Sequence, residues 1–172
     1  MNLTVDDFDS VITFADQSQW STPDPQKNLP FDPTKSPWLD GTYHLTNIAN
    51  ASFSFDFEGE SMADSVNIEE DPCSPSLEGP ALFVYGASGP DYGSYEISLD
   101  GGSIILSAHA SSNASIPHLL YSNSSLPYAN HTLKVTNLGA LNGDQGAGKF
   151  LFDYLLATTE IAPTGRVFLV FL

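Results

Sequence analysis

The sequence predicts an all-β protein, an antiparallel β-sandwich of the jelly-roll type, and three features of the chain support this. Apolar and polar residues alternate in many short runs, no segment repeats its apolar residues with a helical period, and glycine, proline, asparagine and serine separate the runs. Alternation with a period of two is the pattern of a half-buried strand. About eight such runs in one chain are typical of a sandwich or jelly roll.

The strands follow from the alternation in chain order. They are expected at 10–14, 42–46, 51–57, 81–85, 94–99, 104–108, 131–136 and 150–157. The run Asp100-Gly101-Gly102 predicts a hairpin, because glycine accepts the positive φ of a tight turn. We expect these side chains to point inward: Phe53, Phe55, Phe57, Leu82, Val84, Tyr95, Ile97, Leu99, Leu133, Val135 and Leu155.

One domain over residues 3–159 accounts for the pattern, and a chain of 172 residues is long enough to bury a core. Residues 21–37 hold five prolines and are expected to form a surface loop. An acidic insertion at about 60–79 interrupts two core strands and is expected to be disordered, since its acids lack any base. Residues 160–172 form a C-terminal tail.

The charge of the chain excludes some partners. Five basic residues face 21 acidic ones, which gives a net charge of −16. Nucleic acid and anionic membranes are therefore poor partners, because binding a polyanion needs a basic patch. No apolar run is long enough to span a membrane. A neutral polymer, a sugar or a cation remains open.

Glycosylation motifs indicate the compartment. The sequon N-x-S/T occurs five times, at Asn2, Asn50, Asn113, Asn123 and Asn130, and the last three fall in segments expected to be loops. This excess predicts an N-glycosylated protein, extracellular or at the cell surface. The start, MNLTVDDFD, lacks the basic and apolar regions of a signal peptide. The lone Cys73 cannot form an internal disulfide.

Six segments carry a family resemblance: VDDFDSVITF, Trp20, GTYHLTNIANASFSFDFEG, ALFVYGASGPDYGSYEISLDGG, HTLKVTN and FLFDYLLATT. Through them the chain resembles the galactose-binding-domain-like jelly rolls of fungal extracellular proteins, especially basidiomycete surface proteins. The resemblance covers most of residues 3–159. It implies binding of carbohydrate without catalysis, often with a structural calcium ion. The acidic insertion and the tail RVFLVFL depart from the pattern.

A sugar site needs an aromatic ring that stacks on a pyranose and polar groups that fix its hydroxyls. Trp20 and Trp38 flank the proline-rich loop, and Asp91 and Tyr92 lie in the turn GPDYG. We expect these four residues to form a ligand site at one end of the sandwich, because rigid strands carry recognition on their loops. The alternative is that the tryptophans only pack in the core.

Calcium prefers six to eight oxygen ligands, with several carboxylates among them. Asp6 and Asp7 follow the first strand, and Asp153 lies on the last strand, which in jelly rolls often neighbours the first. These three residues are the candidate metal ligands. The alternative is that Asp6 and Asp7 cap turns.

The sequence gives no reason to expect catalysis. None of its four histidines has ligand-type spacing, and no G-x-S-x-G motif occurs. The expected function is therefore a module that binds cell-wall or glycoprotein carbohydrate. Two alternatives stay open: a structural or adhesive glycosylated surface domain without a small ligand, and an enzyme that acts on glycosides.

Overall fold

The structure, a computed structural model, describes residues 2–23, 33–58, 80–114, 116–141 and 148–158. The expectations for the acidic insertion at 60–79 and for the tail at 160–172 lie outside these residues. Ten strands form the described part: β1 (Asn2–Asp6), β2 (Ile12–Phe14), β3 (His44–Thr46), β4 (Ser52–Glu58), β5 (Ala81–Gly86), β6 (Ser94–Leu99), β7 (Gly102–Ser107), β8 (His118–Asn123), β9 (Asn130–Gly139) and β10 (Phe150–Thr158). The other elements are single 3₁₀ turns at Gln17–Gln19, Pro33–Lys35 and Leu39–Gly41.

The strands form two five-stranded antiparallel sheets, which confirms the predicted β-sandwich. In the first sheet the order is β1-β10-β5-β8, and β3 also pairs with β10. In the second sheet the order is β2-β4-β9-β6-β7. The strands β3 and β1 lie end to end along β10, β3 beside Phe150–Phe152 and β1 beside Tyr154–Thr158. No helix among the described residues is long and apolar enough to cross a membrane.

The inner faces of the two sheets form the core. All the side chains predicted to point inward are buried except Leu99, which is half-buried and packs against the same cluster. Phe53 of β4 and Phe152 of β10 meet between the sheets with ring centroids 4.3 Å apart. A one-residue slip of either strand would move these rings to the outer face. The alternation therefore fixes both the face and the register.

Strand β10 contains a bulge that its sequence pattern does not predict. Phe152 pairs with Gly86 and Tyr154 pairs with Tyr85, so Asp153 is an extra residue between them. A bulge shifts the alternation by one residue, and for this reason Leu155, not Tyr154, returns to the core. Asp153 itself is fully buried.

Strand β8 was not predicted, and this part of the sequence expectation is wrong. A second bulge lies here, because Val84 pairs with Tyr121 while Tyr85 pairs with Leu119. The extra residue, Leu120, breaks the alternation that would mark a strand. Two sequons expected in loops therefore lie on strands: Asn123 ends β8 and Asn130 begins β9.

The predicted hairpin between β6 and β7 is present with a two-residue turn. Leu99 pairs with Gly102, and the turn residues Asp100 and Gly101 have φ of 52° and 83°. Two successive positive φ values define the tight turn whose twist matches that of the strands.

Candidate functional site

Two aromatic side chains that flank a short turn, Trp38 and Tyr43, are in contact, and Tyr92 of the turn GPDYG lies within electrostatic range of Tyr43. The rings of Trp38 and Tyr43 lie 5.1 Å apart at 59° to each other. Burial raises the pKa of the Tyr92 phenol, and the phenol of Tyr43 and the carboxylate of Asp91 raise it further. All three side chains are half-buried, so each keeps an exposed part of its ring.

The turn that carries Asp91 and Tyr92 is held tightly by its backbone. The Lys149 N–H donates to the Asp91 carbonyl at 3.1 Å, and the Gly93 N–H donates to the Lys149 carbonyl at 3.0 Å. The Lys149 ammonium also donates to the Asp91 carboxylate at 3.0 Å. These side chains are 37% and 65% exposed, so the ion pair forms a polar rim beside the rings.

Trp20 does not belong to this site, which corrects the sequence prediction. Its side chain is 7% exposed and lies in the core. Its indole packs edge-on against Phe14, Phe53 and Phe150 at 5.1, 6.0 and 6.4 Å. Such packing uses the ring faces that a sugar would need. Trp20 is therefore a core residue at the start of the proline-rich loop.

Tyr43 is the site residue that the sequence analysis missed. It precedes the short strand β3 and alternates with Thr42 and His44, whose side chains bond to Asp7. The alternation Thr42-Tyr43-His44 marks Tyr43 as pointing away from its neighbours. Only the fold shows that its ring then contacts Trp38.

The three predicted metal ligands lie close together. Asp6 ends β1 opposite Tyr154, next to the bulge of β10, and Asp7 follows it. The charges of both act on Asp153. Asp40 also lies near Asp6. The juxtaposition of the first and last strands is therefore as predicted, and the bulge at Asp153 contributes the third carboxylate.

Asp7 already has partners for both of its oxygens. Its Oδ1 accepts a hydrogen bond from the Thr42 hydroxyl at 2.7 Å, and its Oδ2 lies 2.5 Å from Nδ1 of His44. The Gln17 amide nitrogen lies 2.9 Å from Nε2 of His44 and can only donate, so Nδ1 of the ring carries its hydrogen toward Asp7. This buried pair is fully satisfied and fixes the backbone around β3.

Asp6 and Asp153 differ from Asp7, because each has a buried carboxylate oxygen without a hydrogen-bond partner, Oδ1 of Asp6 and Oδ2 of Asp153. Burial raises the pKa of Asp6 to about 6, and the Asp7 and Asp40 carboxylates add to this. Burial likewise raises the pKa of Asp153 to about 7, with contributions from Asp7 and Asp6. Two neighbouring carboxylates that each keep one buried oxygen without a partner favour uptake of a proton or a cation.

The carboxylates alone do not form a complete metal site. Among the residues that the structure describes, no group of three or more Asp, Glu, His and Cys side chains is arranged to hold a metal ion. Calcium sites, however, draw many of their oxygens from backbone carbonyls and water. The two free carboxylate oxygens therefore fit part of a calcium coordination shell.

One segment, residues 38–43, links the aromatic cluster to the carboxylates. Its tight turn places Asp40 and Gly41 at φ of 48° and 83°. The Leu39 N–H donates to Oδ1 of Asp153 at 3.1 Å, and Thr42 bonds to Asp7. Trp38 and Tyr43, at the two ends of the segment, form the aromatic cluster. The carboxylates thus anchor the loop that presents the rings.

The sequons differ in exposure. The Asn50, Asn113 and Asn130 side chains are exposed, as expected for glycan acceptors. Asn123 is half-buried, and its Oδ1 accepts a hydrogen bond from the Ser125 N–H at 3.1 Å. The side chain of Asn2 lies outside the described part.

No protein-family model and no curated protein sequence matches the chain. Several solved structures resemble it in fold. A two-domain esterase active on acetylated mannans, crystallised with mannopentaose, matches 92% of this chain with a TM-score of 0.54 and 12% identity. This chain spans only 37% of that esterase. At this identity the likeness shows the fold alone.

Two complete carbohydrate-binding modules also align with the chain at lower TM-scores. A CBM35 from Cellvibrio japonicus matches 92% of this chain and 93% of its own, with 8% identity and a TM-score of 0.49. A CBM36 domain of a xylanase from the hindgut metagenome of Trinervitermes trinervoides matches 92% of this chain and 97% of its own. Its identity is 12% and its TM-score 0.44.

Proposed function

We propose that this domain binds carbohydrate without catalysing its conversion, through Trp38, Tyr43, Tyr92 and Asp91. The observation that supports this best is the contact between the half-exposed rings of Trp38 and Tyr43. Tyr92 lies within electrostatic range of Tyr43 and follows Asp91, which forms an exposed ion pair with Lys149. Aromatic faces stack on the apolar face of a pyranose, and the Asp91 carboxylate and the Lys149 ammonium can bond to its hydroxyls.

The ligand in this proposal is a neutral glycan of a cell wall or glycoprotein. A net charge of −16 and an exposed carboxylate at the site repel anionic polysaccharides. Stacking on one ring contributes on the order of 1 kcal/mol beyond burial of area, so a small open site binds in the micromolar to millimolar range. Because the similar esterase is active on acetylated mannans, manno-oligosaccharides are the first ligands to test.

The proposal includes a calcium ion held by Asp6 and Asp153. Asp7 lies next to them, and both of its carboxylate oxygens already have protein partners. The unpartnered buried oxygens of Asp6 and Asp153 fit this ion, because only oxygen ligands are offered and the charges that act on each carboxylate are negative. When bound, the ion supplies positive charge that relieves this repulsion. Asp153 accepts a hydrogen bond from the Leu39 N–H, and Asp7 accepts one from the Thr42 hydroxyl. The same carboxylates therefore fix residues 38–43, the segment that carries Trp38 and Tyr43.

The proposed setting is the exterior of a fungal cell, where the chain carries N-linked glycans. Five sequons support this. Three of the acceptor side chains are exposed.

Binding of manno-oligosaccharides, measured by calorimetry and on a glycan array, tests the site. Trp38→Ala and Tyr92→Leu should each weaken binding by at least about tenfold, because each removes a stacking ring. Leucine is chosen at position 92 because this side chain also packs against the core. Tyr85→Leu, which alters a half-buried tyrosine stacked on Tyr154 in the first sheet, is the matched control and should bind normally.

Trp20→Ala should instead lower the free energy of unfolding by about 3–5 kcal/mol, as a core truncation does. Equal binding by wild type and both site variants would contradict the proposed site. Release of shorter sugars from the oligosaccharides by the purified protein would contradict the non-catalytic function and favour the enzyme.

A further inference from the structure

Strand β7 forms an exposed edge of the second sheet and lacks the usual protection of such edges. Among the described strands it is the last in the order β2-β4-β9-β6-β7 and pairs only with β6. Its six residues, Gly102–Ser107, carry no charge and no proline. Ile104 is 49% exposed and Ile105 is 59% exposed. Natural edge strands are usually short, charged, bulged or covered, because a bare edge pairs with other chains.

The other edges of the described sheets are protected. The outer strand β2 and the strand β3 are each three residues long. Strand β1 begins at the sequon Asn2 and ends in Asp6, and β8 contains the bulge at Leu120. A bulge turns an edge away from pairing with another chain. Strand β7 contains no charge and no sequon, and its pairing with β6 contains no bulge. The contrast singles out β7 among the edges of the described sheets.

The side chains of β7 form a palindrome by chemical type, because they follow the same order of types when read from either end. The five residues Ser103-Ile104-Ile105-Leu106-Ser107 have hydroxyls at both ends and aliphatic side chains between them. Antiparallel pairing about Ile105 would place Ser103 opposite Ser107, Ile104 opposite Leu106 and Ile105 opposite itself. Every apolar side chain would then meet an apolar one. A contact related by a two-fold axis requires this kind of self-complementary patch.

The hydrogen-bonding groups have the phase that this pairing needs. The two-residue turn makes Leu99 and Gly102 a hydrogen-bonded pair, and such pairs alternate along an antiparallel ladder. Ile104 and Leu106 therefore bond to β6. Ser103, Ile105 and Ser107 direct their N–H and C=O groups outward, and they are the residues that the palindrome pairs.

We propose that two copies of this chain associate through β7, antiparallel about a two-fold axis at Ile105, so that the second sheets of both copies join into one. A second copy fits this edge better than another partner, because the match of side chains and of hydrogen-bonding groups is complete within the chain's own sequence. Each copy carries a net charge of −16, so the uncharged strand is where two of them can approach. A single strand pair is a small interface, and the dimer is a weak one.

Substitutions at the two-fold axis test the register. Ile105→Lys and Ile105→Glu each place like charges opposite each other, and each should weaken self-association by at least about tenfold in sedimentation equilibrium. A one-to-one mixture of these two variants should associate again, because lysine then faces glutamate. Leu119→Lys on β8, at a side chain 43% exposed, is the matched control and should associate like wild type.

A second measurement does not depend on affinity. In a Cys73→Ser background, Ile105→Cys should form a disulfide-linked dimer under mild oxidation, because a hydrogen-bonded antiparallel pair brings its Cα atoms within disulfide range. Leu119→Cys in the same background should not. Wild-type protein that stays monomeric at millimolar concentration, association that the Ile105 variants leave unchanged, or equal cross-linking at both cysteines would overturn the proposal.

Discussion

At the scale of single residues, His131 shows how a buried ring can be held at both of its nitrogens. Its Nδ1 lies 2.6 Å from Oδ2 of Asp100 and its Nε2 lies 2.8 Å from the carbonyl oxygen of Pro127. Both partners are hydrogen-bond acceptors. Asp100 also accepts from the Thr132 N–H at 2.9 Å. The pair thus ties the β6–β7 turn to β9.

Asp100→Asn should destabilise the protein near neutral pH by about 1 kcal/mol, as loss of a charge-assisted bond on a partly exposed carboxylate does. Burial alone would raise the pKa of Asp100, but the His131 and Thr132 hydrogen bonds and the His131 charge outweigh it and lower this pKa below 3.8. A lowered pKa contributes stability that is present above the unfolded value and lost as the pH falls through the folded one.

Urea unfolding of wild type and Asp100→Asn should therefore differ between pH 5 and 7, and the difference should shrink only as the pH falls below 3.8 and through the lower pKa of folded Asp100. Asp56→Asn is the control, since Asp56 accepts a bond from the Thr132 hydroxyl but does not contact His131. A difference between wild type and Asp100→Asn that persists unchanged at pH 2 would show that the carboxylate charge is not its cause.

The tryptophans show what a single residue's sequence position leaves open. Trp20 and Trp38 flank the same loop and offer the same chemistry, yet one is buried between Phe14 and Phe53 and the other lies beside Tyr43. Large rings gain from burial wherever the fold offers space. That space depends on contacts between distant strands, which a local pattern does not contain. That Trp38, Asp91 and Tyr92 keep some exposure to solvent follows from their positions in loops and turns.

At the scale of elements, alternation predicted most strands and failed where the ladder is irregular. All seven alternating runs expected beyond residue 40 correspond to strands. They alternate because one face of each strand is buried and the other is less so. β8 was missed because its bulge puts apolar residues side by side. The bulge in β10 was equally invisible, although it is what buries Asp153 in the acidic cluster.

The turn GPDYG depends on a close approach that only glycine allows. A Cβ atom on Gly93 would lie 2.4 Å from the Gly139 carbonyl oxygen and 2.8 Å from the Gly148 Cα. Gly93→Ala should therefore destabilise the protein by more than 1–3 kcal/mol, the usual cost of overpacking, because backbone has to shift. It should also weaken glycan binding, since Tyr92 is the preceding residue.

Gly102→Ala is the control for that variant, because the nearest atom to a Cβ there is the Leu99 carbonyl oxygen at 3.5 Å. Thermal unfolding and calorimetry with a manno-oligosaccharide distinguish the two. A Gly93→Ala protein that unfolds and binds like wild type would mean that the turn is free to move.

At the scale of the whole molecule, the positions of the sequons predict where glycans attach. Asn50, Asn113 and Asn130 are exposed, whereas Asn123 is half-buried and bonded to Ser125. Protein expressed in a eukaryotic secretory host should therefore carry glycans at the three exposed sites more completely than at Asn123. Peptide mass spectrometry measures occupancy at each site. Bare asparagines at all of them would remove the main support for a secreted protein.

The positions of three carboxylates in the sandwich predict how calcium should affect the stability of the protein. β10 is the central strand that pairs with β1, β3 and β5, and the carboxylates of Asp6, Asp7 and Asp153 meet where β1, β3 and the bulge join. An ion bound there would hold the first strand, the last strand and the loop 38–43 together. Because these carboxylates meet only in the folded chain, the proposed ion should stabilise the protein by about 2.7 kcal/mol at a concentration of 100 times its Kd.

The sharpest prediction is that Asp153→Asn changes stability in opposite directions with and without the ion. In EDTA at neutral pH the substitution should raise the melting temperature, because it removes one of several buried carboxylates that repel each other while an amide oxygen can still accept from Leu39. With saturating calcium the wild type should be the more stable of the two, because the variant has lost a ligand.

Asp9→Asn is the matched control, since Asp9 only caps a turn by accepting from the Val11 N–H at 3.2 Å. Differential scanning calorimetry with calcium, magnesium or EDTA measures these melting temperatures. Glycan binding by the protein in the same buffers shows whether the ion positions the loop that carries Trp38. A wild-type melting temperature that does not respond to calcium, together with a neutral or destabilising effect of Asp153→Asn in EDTA, would mean that these carboxylates serve only to hold the backbone of the loop.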